Sequence, residues 1–459
     1  MNNIINKLQD KNIAILGFGR EGYSTYKYIR KYLKNQKITI LDKIENIKDT
    51  YQELKDDNNL SFILGEGYLN NLEIYDIIIK TPGISLSLML ADSLKDKLTS
   101  QMDLVMTETD AYIIGVTGTK GKSTTSSLLY NVLKDQNKDV YLVGNIGNPI
   151  LDYIDLVNKD TILVAEYSAH QLQFLKKSPQ IGIILNLFEE HLDYFKELNN
   201  YYLSKMNMFK YQNSNNYGLY FLDNETLNSF VEQRKYESNL IPVSLSNIDK
   251  GFYCDGKYIY KKNVDETIKL YDLNNERNLV GMHNIINIMF VLAVVDILNL
   301  NNIDAIKSVN NFEPLNHRLQ KVGKYNDIIF YSDTIATIPE ATLNGINSLK
   351  EVDTLIFGGM DRGIDYSTFA KDLAQTSVNN FICMPDTGYK IGKELEKIVI
   401  NKNVFFVSEL DDAVDIAFNK TSKEKICLLS PSAPSYNKYK NYEDKGNHYI
   451  KCIKDYKKK

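Results

Sequence analysis

An apolar run that leads directly into a glycine-rich loop is the feature that most constrains the fold of this chain. Residues 111–116 are apolar, residues 118–124 read GTKGKST, and a stretch with helical patterning follows. A loop between a buried strand and a helix presents backbone N–H groups, and the positive end of the helix faces the same point. This segment therefore predicts a phosphate-binding loop in a mostly parallel α/β sheet.

The residue types in the loop suit a nucleoside triphosphate. Lys122 can reach the β and γ phosphates, and the Ser123 hydroxyl is a suitable ligand for Mg2+. Val116 stands where the plain Walker pattern has its first glycine. An ordinary glycine turn between a strand and a helix is the alternative interpretation. The residues predicted to hold ATP here are Gly118, Thr119, Lys120, Gly121, Lys122, Ser123 and Thr124.

Apolar runs alternate with helical stretches on both sides of this segment, which predicts three linked α/β units in the 459 residues. We expect a Rossmann-like domain at 1–108, a central P-loop ATPase-type domain at 109–311 and a Rossmann-like domain at 312–459. A GFGREG turn at 17–22 followed by Asp42 is typical of a nucleotide-binding unit. Taken alone that turn also suggests NAD, a weak signal without a nicotinamide site. Strands are predicted at 12–16, 38–41, 74–80, 140–143, 161–165, 182–187, 217–222, 328–332, 354–357, 381–384, 404–407 and 426–429, with a hairpin turn at 254–256.

Composition excludes several classes of partner. The formal net charge is only -4, with acidic and basic residues mixed along the chain, so nucleic acid is not expected. No apolar stretch is long enough to insert into a membrane, and we expect a cytoplasmic monomer. The four cysteines, Cys254, Cys383, Cys427 and Cys452, have no CxxC spacing and are expected to be reduced packing residues.

Several further motifs, in order along the chain, resemble those of the Mur ligases and folylpolyglutamate synthases. They are EYSAHQL at 166–172, NLFEEHLD at 186–193, GMHNIIN at 281–287, Arg318 and Asp333. The resemblance implies that Asn284, Arg318 and Asp333 contact ATP. It also implies that Lys122, Glu166, His191 and Lys205 are catalytic. Mg2+, as one or two ions, would be held by Ser123, Glu166, His191 and Lys205, with Lys205 carboxylated on its amine by CO2.

The outer segments are most similar to the branch of this family that adds D-glutamate to UDP-N-acetylmuramoyl-L-alanine. The supporting segments are the GFGREG turn, TPGI at 81–84, GNIGNP at 144–149, GGMDRG at 358–363 and SPSAPS at 430–435. This likeness implies a UDP-substrate site and a glutamate site. The residues implied are Gly19, Arg20, Glu21, Asp42, Lys43, Thr81, Gly83 and Asn145 for the first, and Thr337, Arg362, Ser435, Tyr436 and Tyr442 for the second.

Two departures from the branch pattern lie near the expected glutamate site. Ile335 stands where the pattern has a lysine, and Pro434 replaces a residue of its cysteine-alanine segment. L-glutamate or another amino acid is therefore an alternative substrate. A folate ligase is disfavoured because its ATP domain comes first. A non-catalytic, ATP-regulated binding protein is the alternative from another class.

The implied reaction follows from the chemistry of amide synthesis. The alanyl carboxylate would take the γ phosphoryl group of ATP to give an acyl phosphate, which the glutamate amine would then attack. Carboxylate and triphosphate repel each other, so the site must supply cations. Domain closure is expected to bring Arg318 and Asp333 to the phosphate loop and to exclude water.

Overall fold

The computed structural model describes residues 3–86, 88–146, 148–190, 192–361 and 366–456. By their internal contacts they form two compact units, a first unit of Met1–Glu276 with Ile286–Asn310 and a second unit of Arg277–Ile285 with Asn311–Lys459. Three sheets are present, two in the first unit and one in the second. This confirms the predicted α/β class, while the predicted domain boundaries stay a prediction.

The first sheet is entirely parallel and has the order β3-β2-β1-β4-β5. Its central strands are buried because almost every residue in them is aliphatic. The predicted strand at 74–80 was too long, since Leu72–Ile74 forms a 3-10 turn. The elements are α1 Asn3–Leu8, β1 Ile13–Leu16, α2 Arg20–Tyr32, β2 Ile38–Asp42, α3 Ile47–Thr50, a 3-10 turn Gln52–Asp56, β3 Leu60–Leu64, the 3-10 turn Leu72–Ile74, β4 Ile77–Lys80, α4 Leu88–Ser93, β5 Leu98–Thr99 and α5 Gln101–Glu108.

The second sheet has nine strands in the order β14-β13-β12-β11-β10-β9-β6-β8-β7. The strands from β6 to β11 pair in parallel. The elements are β6 Tyr112–Thr117, α6 Lys122–Asp135, β7 Val140–Gly144, 3-10 turns Ile150–Asp152 and Ile154–Leu156, β8 Ile162–Glu166, α7 Ala169–Leu172, β9 Ile181–Ile184, α8 Leu192–Phe195, α9 Leu198–Lys210, β10 Tyr217–Phe221, α10 Glu225–Glu232, β11 Asn239–Ser244, β12 Gly251–Cys254, β13 Tyr258–Lys262, β14 Thr267–Asp272, α11 Met282–Ile297 and α12 Asn302–Asn311.

The far edge of this sheet is antiparallel. Strand β12 pairs with β13, and β13 pairs with β14. The Asp255 carboxylate accepts hydrogen bonds from the backbone N–H groups of Lys257 and Tyr258, at 2.8 and 2.7 Å. This confirms the predicted hairpin turn, in which the side chain of an aspartate organises the loop.

The third sheet lies in the second unit and has the order β15-β16-β20-β17-β18-β19. Only β15 is antiparallel to its neighbour. The remaining elements are β15 Gln320–Tyr325, β16 Ile328–Ser332, α13 Pro339–Leu349, β17 Val352–Phe357, α14 Ser367–Gln375, β18 Asn380–Cys383, α15 Thr387–Ile398, β19 Asn403–Phe406, α16 Leu410–Lys420, β20 Ile426–Leu429 and α17 Tyr442–Tyr456.

Buried side chains on both faces of each sheet form the cores. All four cysteines are buried, as predicted for packing residues. Met206 and Phe209, on the same helix as Lys205, are buried core residues. Among the described residues, no helix has the length and apolarity needed to cross a bilayer.

Candidate active site

The phosphate loop joins the end of β6 to the first turn of α6, as the sequence predicted. Gly121 precedes the helix with a φ of +87°, and a Cβ there would lie 2.8 Å from Asn287 Oδ1. This position therefore requires glycine for both its backbone angle and its space. Lys122, the first residue of α6, donates hydrogen bonds to the carbonyl oxygens of Gly118 and Thr119, both at 2.9 Å.

Asn186, which follows β9, holds the loop from the other side. Its Oδ1 accepts a hydrogen bond from the Lys120 backbone N–H at 2.8 Å, and its Nδ2 donates to the Lys120 carbonyl at 3.1 Å. Lys120 Nζ in turn lies 2.8 Å from a Glu190 carboxylate oxygen. In the sequence, Asn186 is recognisable only as the first residue of the motif at 186–193. Its loop-holding contacts join residues too far apart in the chain for spacing to reveal.

Lys205 reaches the same loop from α9. The side chain is 1% exposed, and its amine donates to Gly118 O at 2.9 Å and Thr117 Oγ1 at 3.3 Å. Burial and, secondarily, the charge of Lys122 lower the pKa of Lys205 well below its ordinary value, against the opposing charges of Glu190 and Glu166. A buried amine therefore lies beside the predicted phosphate site, and its surroundings disfavour its charged form.

Glu166 ends β8 and is completely buried. Its carboxylate accepts hydrogen bonds from Asn145 Nδ2 at 2.7 Å and from Ser126 Oγ at 3.4 Å. Both donors are neutral, and no ion pair with Glu166 occurs among the described residues. An isolated buried carboxylate is costly unless a cation compensates it.

The residues predicted for the UDP substrate surround the glycine turn after β1. Gly17 has a φ of +91°, and a Cβ on it would lie 2.0 Å from Thr81 Oγ1, so the turn and the segment after β4 meet closely. Asp42 is buried, and its carboxylate accepts from the backbone N–H groups of Phe18 at 2.6 Å and Ile44 at 2.8 Å. Asp42 therefore holds the turn in shape. Gly19, Arg20, Lys43 and Gly83 are exposed.

A buried lysine near this turn was missed by the sequence analysis. Lys80, the last residue of β4, is 4% exposed, and burial lowers its pKa to about 8. The Glu21 carboxyl, whose pKa burial raises to about 6, opposes that shift, and it accepts a 2.9 Å hydrogen bond from Gln171 Nε2. Lys80 and Gln171 line a small cavity with His170. A charged residue closing an otherwise aliphatic strand was the available signal.

In the second unit, Asp333 follows β16. Its oxygens accept from the Leu319 backbone N–H at 3.2 Å and from Ser430 Oγ at 3.0 Å. Burial raises the pKa of Asp333 to about 7, although the nearby Arg318 charge lowers it. The Arg318 Nε atom is buried without a hydrogen-bond partner. Asn284 donates to the Val280 carbonyl at 2.7 Å.

The loops after β17 and β20 also belong to the second unit. The hydroxyl of Ser435 is buried and has no hydrogen-bond partner, an exception to the rule that buried polar groups are paired. Tyr442 begins α17, Thr337 is half-buried and Tyr436 is 64% exposed. Lys445 is 2% exposed and donates to Gly358 O at 2.7 Å. Burial lowers the pKa of Lys445 to about 7.

Two predicted site residues, His191 and Arg362, lie outside the described residues. Of the others, the structure brings Lys122, Glu166 and Lys205 to the carboxyl ends of β6 and β8 or onto helices beside them. Lys122 and Lys205 both donate to the Gly118 carbonyl, and the charges of Lys122 and Glu166 both act on the pKa of Lys205. Gly118, Thr119, Lys120, Gly121, Ser123 and Thr124 form the loop and first turn around them.

Comparisons with known proteins identify the family of this chain. Residues 116–295 match the family model of the Mur ligase middle domain, and residues 317–433 match that of the Mur ligase glutamate ligase domain. The chain is 30% identical to UDP-N-acetylmuramoylalanine--D-glutamate ligase of Acetivibrio thermocellus, covering 99% of this chain and 98% of that protein. It is 31% identical to the enzyme of that name from Clostridium botulinum, with 96% of each chain covered.

Solved structures share the fold at low sequence identity. The MurF ligase of Thermotoga maritima, solved in complex with ADP, has a TM-score of 0.59 at 16% identity and covers 99% of this chain and all of its own. A MurF structure from Acinetobacter baumannii has a TM-score of 0.62 at 12% identity and covers 100% of this chain and 99% of its own. With matches to both family models and relatives at 30% identity over nearly its full length, this chain belongs to the Mur ligase family.

Proposed function

We propose that this protein uses ATP to join D-glutamate to UDP-N-acetylmuramoyl-L-alanine, a step in the synthesis of the peptidoglycan precursor. The observation that carries the proposal is the group of Lys122, Glu166 and Lys205 around the phosphate loop. The names of the relatives support the choice of substrates. A cytoplasmic monomer remains our expectation.

The reaction has two steps. A carboxylate oxygen of the alanyl group attacks the γ phosphorus, the bond to the bridging oxygen of ADP breaks, and an acyl phosphate forms. The glutamate amine then attacks the acyl carbon, phosphate leaves with the bonding electron pair, and the amine loses a proton. Lys122 supplies positive charge where phosphate oxygens accumulate negative charge, and its hydrogen bonds to Gly118 and Thr119 hold it beside the loop.

The donor set at the loop suits a magnesium ion. Glu166 is a buried carboxylate with neutral hydrogen-bond donors, and the Ser123 hydroxyl lies in the first turn of α6. Oxygen ligands of these types are those that Mg2+ prefers. We assign Mg2+ to Ser123 and Glu166, with His191 and Lys205 for a second ion. An ion held by these residues would supply positive charge to the phosphate oxygens.

We propose that Lys205 is carboxylated by CO2. Addition of CO2 requires a neutral amine, and burial beside Lys122 favours that form of Lys205. The nitrogen lone pair forms a bond to the carbon of CO2, one C=O electron pair moves to oxygen, and the nitrogen loses a proton. The product carries a negative charge, which the positive charge of Lys122 attracts. It also turns a side chain that cannot bind a cation into one with carboxylate oxygens.

The UDP substrate is assigned to the glycine turn after β1 and the segment after β4. Asp42 holds this turn by its two backbone hydrogen bonds. Lys80, at the end of β4, adds a positive charge suited to a diphosphate, and its pKa of about 8 leaves it mostly protonated at neutral pH. Asn145 follows β7 and donates to Glu166, which links the substrate segment to the catalytic carboxylate.

The amino acid is assigned to the second unit, at the loops after β16, β17 and β20. The unsatisfied Ser435 hydroxyl is the observation that supports this assignment, together with Tyr442 at the start of α17. Thr337, Tyr436 and Arg362 complete the proposed set. Ile335 offers no charge to the γ carboxylate of glutamate, so choice of amino acid and configuration is the point that experiment must decide.

The test is phosphate release by the purified protein with UDP-N-acetylmuramoyl-L-alanine, ATP and Mg2+, while the amino acid is varied. D-glutamate is expected to give the highest kcat/KM, and omission of the UDP substrate is expected to abolish release. Preference for L-glutamate or another amino acid would correct the substrate. Nucleotide binding without amino-acid-dependent phosphate release would instead favour a non-catalytic binding protein.

A further inference from the structure

A cluster of three metal-binding side chains lies on the second unit, apart from the residues assigned above. Asp411 is in the first turn of α16, and His448 and Cys452 are one turn apart on α17. Their ligand atoms all lie within 4.8 Å of one another. The whole sequence has only five histidines and four cysteines, so two of these nine residues share one helix face beside a carboxylate.

The distances suit a small tetrahedral cation. Asp411 Oδ2 is 3.3 Å from His448 Nε2, and Asp411 Oδ1 is 3.5 Å from Cys452 Sγ. Zinc binds nitrogen and oxygen at about 2.0–2.1 Å and thiolate sulfur at about 2.3 Å, which at tetrahedral angles separates the ligand atoms by about 3.3–3.5 Å. These two contacts use different oxygens of Asp411, and one ligand atom from each of the three residues lies within 4.8 Å of the others. A shared ion therefore requires side-chain rotations that bring the three ligand atoms closer together.

A hydrogen bond orients the His448 ring, as is common for histidines that bind metals. Tyr439 Oη is 3.0 Å from His448 Nδ1, which leaves Nε2 directed at Asp411. A hydrogen bond to the second ring nitrogen fixes the ring and its tautomer in most metal-binding histidines. The Lys438 amine of the preceding loop lies 2.5 Å from a Glu409 carboxylate oxygen, so this cation is paired with an acid outside the cluster.

The solvent exposure of the three side chains differs, and the difference suits an ion that has one water ligand. The side chain of Asp411 is 67% exposed and that of His448 is 34% exposed. Cys452 is only 7% exposed. An ion placed between them would have the thiolate on its protein side and water on its open side, the composition of a three-ligand zinc site.

We propose that Asp411, His448 and Cys452 bind Zn2+, with water as the fourth ligand, and that the ion links α16 to α17. Helix α17 also begins at Tyr442, whose carbonyl accepts from Thr334 Oγ1 at 2.7 Å, and carries Lys445, which donates to Gly358 O. A metal link between α16 and α17 thus steadies the helix that braces the loops after β16 and β17. The proposal concerns this unit alone and does not depend on the proposed ligase activity.

The experiment is a titration of the metal-free, reduced full chain with Co2+ in the absence of ATP and Mg2+. One equivalent should produce the visible bands of tetrahedral cobalt and a thiolate-to-cobalt charge-transfer band, and Zn2+ should displace both. Cys452→Ser should lose the charge-transfer band, and His448→Gln and Asp411→Asn should weaken binding by more than about tenfold. Zn2+ should raise the Tm of the wild-type chain but not that of His448→Gln.

Asp412→Asn removes the neighbouring acid of the same helix turn, and Cys254→Ser removes a thiol of the first unit, so both should retain the wild-type spectrum. His448 is partly exposed, so His448→Gln is expected to fold even if Cys452→Ser does not. Absence of the spectrum at one equivalent, a charge-transfer band that survives Cys452→Ser, or full cobalt affinity in folded His448→Gln would each overturn the proposal. The contacts of Asp411 with His448 and Cys452, and of Tyr439 with His448, would then be an ordinary hydrogen-bond network.

Discussion

The side-chain amines of Lys122 and Lys205 converge on one acceptor, the carbonyl oxygen of Gly118, which lies 2.9 Å from each. Burial disfavours the charged form of Lys205, and the repulsion between two ammonium groups at one carbonyl adds to that cost. The pKa of Lys205 is lowered accordingly. One amine of the pair is thereby favoured in its neutral form, and that form is the one that reacts with CO2.

The first prediction concerns the chemical state of Lys205. In buffer with 13C-labelled bicarbonate, the wild-type chain should show a carbamate carbon signal in its NMR spectrum, and Lys205→Ala should lose it. Lys210→Ala, which removes an exposed lysine from the same helix, should keep it. Lys205→Ala should also be nearly inactive and partly rescued by short carboxylic acids. An unrescued Lys205→Ala, together with an active Lys205→Arg, would indicate a plain amine.

Lys122→Ala should abolish ligation while leaving the chain folded. Stabilisation of charge by one well-placed donor is worth about 3–4 kcal/mol in comparable sites, equivalent to a loss of about 10²–10³ in kcat. The measurement is phosphate release at saturating substrates, with circular dichroism to check folding. Lys134→Ala, an exposed change in the last turn of the same helix, is the matched control. Turnover of Lys122→Ala within about tenfold of wild type would contradict the assigned role.

Asp42→Ala should chiefly raise the KM for the UDP substrate. The carboxylate holds the glycine turn through the backbone N–H groups of Phe18 and Ile44 and is assigned to ground-state binding. Steady-state kinetics with each substrate varied in turn measures the effect. Glu73→Ala removes an exposed acid near the same sheet and should leave both constants unchanged. A selective rise in the KM for ATP would mean that the two nucleotide sites are assigned in reverse.

The buried amine of Lys445 predicts a specific dependence of stability on pH. Its pKa is about 7 in the folded chain and about 10.4 in an unfolded one, so the folded state binds fewer protons between these values. The cost of burying the charge is complete below about pH 7 and vanishes as the pH approaches 10.4. At about 1.4 kcal/mol per pKa unit, the free energy of unfolding should change by several kcal/mol across this pH range.

Lys445→Met removes this titration. Its free energy of unfolding, relative to that of wild type, should therefore be most favourable near pH 7 and decline towards pH 10. Urea unfolding at a series of pH values measures the difference, and the exposed Lys451→Met should give a difference that does not vary with pH. A constant offset for Lys445→Met would show that the amine is charged in the folded chain.

Strands buried on both faces could be predicted from the sequence, because each appears as a continuous apolar run. The strands β3, β11 and β15 were missed for physical reasons. In β3 half-buried and exposed residues alternate, β11 contains Pro242, and β15 is mostly polar. Their pairing is determined by the neighbouring strand, which single-sequence patterns do not include.

The candidate site divides in the same way. The loop residues around Lys122 were predictable because the glycines and the lysine adjoin in sequence. Asn186, Lys80 and Lys445 owe their placement to burial and to partners in distant segments. No local spacing distinguishes them from solvated polar residues.

Both the oxygen and the nitrogen of the Gln171 side-chain amide form hydrogen bonds. Its Oε1 accepts from the backbone N–H and hydroxyl of Ser168, which starts α7, and its Nε2 donates to Glu21 at the first turn of α2. A glutamate at this position could not donate to Glu21, and an alanine would leave the Glu21 carboxyl without that donor in a buried setting. A substitution at either position is therefore tolerated only if the residue at the other position can still form the hydrogen bond. Positions 21 and 171, which serve different sheets, should covary among relatives rather than change independently.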